Sequence, residues 1–123
     1  MPFVNARWSA ITIDCKDPDR LGAFWGHLLA RAPSEQESDP GWVRLGEVGG
    51  PQPAINFQLV PEPKYGKTRI HLDVSVDDMD EAVANVQRLG GRSLAQRYDY
   101  DEGVVMVMAD PEGNEFCLVQ YFH

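Results

Sequence analysis

Polar and apolar positions alternate with a period of two across residues 69–76. Arg69, His71, Asp73 and Ser75 interleave with Ile70, Leu72, Val74 and Val76, which predicts a strand with one apolar and one polar face. The same alternation across residues 8–15 sets Ile11 and Ile13 against Trp8, Ala10, Thr12 and Asp14. After each strand the spacing becomes helical. Asp17 is an N-cap with Pro18 at the first helical position, and Leu21, Phe24, Trp25 and Leu28 follow on one stripe. Asp78 with Glu81 forms an acidic capping box ahead of Met79, Ala82, Val83, Val86 and Leu89, and Gly90 ends the helix.

Four further stretches read as strands: residues 42–48 and 54–60 in the first half, and 103–109 and 115–121 in the second, the last two joined by the turn Asp110–Asn114. Residues 92–102 predict a less regular strand and a loop. A shift of 61 positions lays Ile11 on Leu72, Ile13 on Val74, Asp17 on Asp78 and Leu28 on Leu89, and a shift of 59 lays residues 57–60 on 116–119. The chain therefore reads as one α+β domain of two βαβββ repeats, about 6–62 and 67–122. In this reading the strands form a curved mixed sheet around a cavity, with the helices on the outer face. His71 then has Ala10 as its counterpart and Cys117 has Gln58, so four quasi-equivalent positions converge on the cavity. Asn56 shares the face of Gln58 and takes its place if the register moves by two.

Charge and cysteine content narrow the partners. Nineteen acidic against eleven basic residues give a formal charge of −8, which disfavours nucleic acid and anionic membrane surfaces. No apolar run is long enough to span a bilayer, and the N-terminal residues lack a signal-peptide pattern, so the expected location is cytoplasmic. Cys15 and Cys117 have neither disulfide nor zinc-knuckle spacing. Trp8 on the cavity face, with Trp42, Tyr65, Tyr98 and Tyr100 near its rim, makes an acidic, aromatic-lined space suited to planar or cationic organic molecules.

The paired repeats, the opening residues 11–25, the second-half residues 71–91 and the closing Asp110–Val119 with its Asp-Pro-x-Gly-Asn turn resemble the vicinal oxygen chelate superfamily. Within it they are most similar to glyoxalase-like domains of the glyoxalase, bleomycin resistance protein and dioxygenase group. The resemblance covers nearly the whole chain, 1–123, as a single domain. In metal-dependent members the four positions hold His or Gln, Glu, His and Glu around a divalent ion. Here they hold Ala10, Gln58, His71 and Cys117, and His71 alone matches cleanly.

The resemblance with this altered set implies a small-molecule binding protein, a homodimer, with no tightly held cofactor. The ligand would lie over Trp8, Ala10, Thr12, Asn56, Gln58, His71, Asp73 and Cys117. Two alternatives stay open: a divalent-metal lyase, isomerase or dioxygenase using His71, Cys117 and Glu115, and a metal-free enzyme with His71 as catalytic acid or base.

Overall fold

The structure is a computed structural model and describes residues 5–35 and 39–122. Among these residues nine elements follow one another: β1 (Ala10–Cys15), α1 (Pro18–Leu29), β2 (Trp42–Leu45), β3 (Ala54–Leu59), β4 (Asp73–Ser75), α2 (Met79–Arg88), β5 (Arg92–Tyr100), β6 (Gly103–Ala109) and β7 (Glu115–Tyr121). They make two mixed sheets, ordered β1-β3-β2 and β4-β7-β6-β5. In each, the strand before the helix lies parallel to the last strand of its half, and the remaining pairs are antiparallel. This is the expected α+β architecture of two repeated units.

Both helices begin where their caps dictate. The Asp17 carboxylate accepts from the Arg20 backbone N–H at 3.1 Å, and that of Asp78 accepts from Glu81 N–H at 3.1 Å. Each satisfies one of the otherwise unpaired first-turn donors. α1 lies close on its sheet because Gly22 and Gly26 carry no side chain there. A Cβ on Gly22 would stand 2.8 Å from Val43 Cγ1, and one on Gly26 would stand 3.4 Å from Leu45 Cδ2. The opposite stripe of α1 reaches the other half: the Trp25 and Phe116 rings meet at 4.8 Å and Phe24 and Phe116 at 6.0 Å, both edge-on. One apolar core thus runs through both halves, with Leu21, Phe57, Val86, Met108 and Leu118 fully enclosed.

Three elements depart from expectation. Among the described residues the first repeat shows no full second strand, only a single antiparallel bridge between Pro33 and Leu45; proline has no N–H to extend a ladder. The strand expected over 69–76 is reduced to Asp73–Ser75, and Ile70, assigned to its apolar face, is 73% exposed. Residues 92–102, read as partly irregular, hold the longest strand, β5. Its register breaks between Ser93 and Gln96, with Ala95 at φ 57°. That bulge erases the period of two on which the reading relied.

The registers also correct one equivalence between the halves. Asn56 pairs with Thr12 and Cys117 with Asp73, so the shift is 61 for the last strands as well as the first. The counterpart of Cys117 is Asn56, and Gln58 corresponds to Val119.

Candidate functional site

Each sheet turns one face to its helix and leaves the other without a helical cover, and the sequence-derived site residues divide between these two uncovered faces. On the first sheet, Thr12, Asn56 and Arg44 stand side by side on β1, β3 and β2. Asn56 is buried at 4% exposure. Its Nδ2 donates to Thr12 Oγ1 at 3.2 Å, and its Oδ1 accepts from Arg44 Nε at 2.8 Å. This row fixes the Arg44 guanidinium, which also lies 5.9 Å from the centre of the Trp42 ring, within cation–π range. Gln58 is exposed beside it and borders a depression of about 560 Å³ shared with Asp39, Trp42, Arg44 and Leu59. Ala10 is half-buried at the start of β1, and Trp8 precedes that strand with 69% of its surface exposed.

On the second sheet Asp73 pairs with Cys117, which pairs in turn with Val107. Asp73 also borders a smaller depression of about 300 Å³ with Tyr100, Glu102, Val119 and Tyr121. His71 lies two residues ahead of Asp73, exposed, in the non-strand segment leading into β4. The structure therefore joins Thr12 to Asn56 and Asp73 to Cys117. Trp8, Gln58 and His71 stand apart from these rows.

A divalent ion does not fit the donor set present. Among the described residues, no three His, Cys, Asp or Glu side chains are grouped to hold one. Ala10 offers no donor, and the Asn56 amide is engaged on both its atoms. The pKa of the Cys117 thiol is pushed upward by burial and then by the neighbouring Asp73 carboxylate, partly offset by Lys67. Glu115 is also committed. Its Oε1 accepts from Thr68 Oγ1 at 2.6 Å, from Thr68 N–H at 3.1 Å and from Lys64 Nζ at 3.1 Å. Those bonds, led by the Thr68 hydroxyl, hold its pKa down to about 2.

The Asp-Pro-x-Gly-Asn turn carries structural polar groups whose purpose the sequence did not disclose. Asp110 is 1% exposed. Its carboxylate accepts from Trp25 Nε1 at 3.1 Å, from the N–H groups of Glu112 and Asn114 at 2.9 and 3.0 Å, and from Asn114 Nδ2. Glu112 in the same turn accepts from the N–H groups of Lys16 and Asp17 at 2.7 and 2.8 Å, just ahead of α1. One turn of the second half thereby holds the helix of the first. Arg44 is the site-face residue that the sequence reading passed over; the alternation of 42–45 placed it on the face of Trp42, already read as a rim aromatic, and was the signal available.

With this geometry in view, the comparisons with known proteins are specific about fold. The chain matches the glyoxalase-like domain family over residues 10–119. It superposes with a TM-score of 0.79 and 20% identity on a glyoxalase/bleomycin resistance protein/dioxygenase family enzyme from Burkholderia phytofirmans PsJN, covering 95% of this chain and 100% of that one. It is similar also to the fosfomycin resistance protein FosX from Mesorhizobium loti, with a TM-score of 0.71, 14% identity, and coverage of 98% and 95%. A glyoxalase/bleomycin resistance protein from Albidiferax ferrireducens T118 gives 0.66 at 14% identity, with coverage of 93% and 98%. No curated protein matches the chain. At these identities the solved structures speak for the fold alone, and the family match over residues 10–119 decides membership: the chain belongs to the glyoxalase-like domain family of the vicinal oxygen chelate superfamily.

Proposed function

We propose that this chain binds a small organic molecule on the helix-free faces of its sheets and holds no metal ion tightly. The ligand lies against Trp8, Ala10, Thr12, Asn56, Gln58, His71, Asp73 and Cys117. The observation that carries this reading is the pair of polar rows, Thr12–Asn56–Arg44 and Asp73–Cys117, standing where Ala10, Asn56 and Cys117 interrupt a chelating set. Preformed hydrogen-bonding groups beside aromatic walls orient a ligand without supplying a Lewis acid. Arg44 offsets Asp39 at the first depression, whereas Asp73 and Glu102 border the second with Tyr100 and Tyr121, and that favours a planar cation at the second sheet.

The working unit in this proposal is a homodimer. Leu59, Tyr98, Tyr100, Tyr121 and Phe122 are each about half exposed, and a second copy would cover them. The location proposed is cytoplasmic; no described helix is long and apolar enough to cross a membrane. A thermal-shift screen of planar organic cations and divalent metals tests the ligand reading. The expected result is a rise in melting temperature with an organic cation that is lost in His71→Ala and Gln58→Ala. Stabilisation by a metal ion alone would overturn it.

A further inference from the structure

A further apolar space lies on neither helix-free face. A cavity of about 460 Å³ opens at the seam between the halves. Its floor is Ile11 and Ile13 of β1, Leu72, Trp25 of α1 and Phe116 of β7, and its roof is the connector from Glu62 to Ile70. The connector is stapled at both ends. Lys16 Nζ donates to the carbonyls of Val60, at 3.2 Å, and Pro61, while Thr68 and Lys64 are bound to Glu115. These bonds fix the roof across an apolar floor, and a volume of this size accommodates a small organic molecule.

The charges around the cavity select its ligand. Asp110, Glu112 and Glu115 are engaged by the hydrogen bonds already described, and Lys16 and Lys64 by theirs. Among the described residues the two ion pairs, Lys64–Glu115 and Arg97–Asp99, leave out Lys67 and Arg69, both exposed lining residues. Asp14 and Glu62 are the uncommitted acids of the lining, which set a limit on how much negative charge the space accepts. The chain's net charge of −8 does not decide the matter, because charges farther than about 8 Å are screened at physiological salt.

We infer that this seam cavity is a second ligand site, distinct from the helix-free faces, that takes an apolar aromatic ring bearing a single carboxylate or sulfonate. The ring lies on Ile11, Ile13, Leu72 and Phe116, and the anionic group meets Lys67 and Arg69. Such charge-assisted contacts are the stronger class of hydrogen bond.

The test is a fluorescence titration of the full chain with 1-anilinonaphthalene-8-sulfonate, with near-ultraviolet circular dichroism to show that packing stays native. The expected result is saturable one-site binding that weakens at least tenfold in Lys67→Gln/Arg69→Gln and is unchanged in Arg97→Gln. 2-Naphthoate should displace the probe, and 2-naphthylmethylammonium should not. Absence of saturable binding, equal affinity in the double variant, or equal displacement by the cation would each overturn the assignment. The cationic competitor also separates this site from the faces proposed above, where a cation is preferred.

Discussion

Asp110 shows how one side chain can decide the relation between two halves of a protein. A buried carboxylate with five donor contacts, one from the Trp25 indole 85 positions earlier, is stable only while those donors stay in place. Asp110→Ala leaves the indole N–H and the turn amides unpaired, and the expected loss is about 2–4 kcal/mol, read as a lower urea midpoint with an unchanged slope. A loss below about 1 kcal/mol would show that the turn repacks around water. The turn itself was evident from its Asp-Pro and Gly-Asn composition. Its bond to Trp25 was not, because nothing in the local pattern around Trp25 distinguishes a core indole from one with a distant partner. The same limit applied to Asn56, whose burial between Thr12 and Arg44 depends on the strand register.

Elements whose signals are local were legible, and those shaped by exposure were not. Asp17 with Pro18 and Asp78 with Glu81 fixed both helix starts, because a cap acts within one turn. β5 was undervalued because seven of its nine residues are exposed, and its bulge breaks the alternation. The strand ending in β4 was overextended because Ile70 kept the period while lying in a connector, where its side chain is exposed. That connector carries a pH-dependent tie. Glu115 is depressed from 4.5 to about 2 in the folded chain, so its bonds to Thr68 and Lys64 contribute stability that is complete above the unfolded value. The contribution is lost as pH falls through the window from 4.5 to 2. Glu115→Gln should therefore be less stable than the parent at pH 7, with the difference shrinking as the solution is acidified towards pH 2. Acid unfolding curves that stay parallel over that window would show that Glu115 contributes no such tie.

At the scale of the whole molecule the duplicated architecture was the clearest feature, since a shift of 61 aligns two strands and two helix caps at once. The finer equivalence failed for a physical reason. Shifts of 59 and 61 have the same parity, so both place the same alternate residues of β3 and β7 on the same faces, and only hydrogen-bond register separates them. With Asn56 as the counterpart of Cys117, the uncovered faces offer amide, hydroxyl, guanidinium and thiol groups beside the Asp73 carboxylate. A second copy packed over these faces would complete walls that each sheet supplies in part, and sedimentation velocity should accordingly give a dimer at micromolar concentration. A monomer that still binds the organic cation would confine the site to one chain.

The central claim, a ligand-binding glyoxalase-like domain without a tightly held metal, is tested most directly by elemental analysis of the chain purified without chelators, beside its His71→Ala variant. The account predicts transition-metal content far below one ion per chain in both proteins. Near-stoichiometric metal in the parent that is lost in His71→Ala would contradict it.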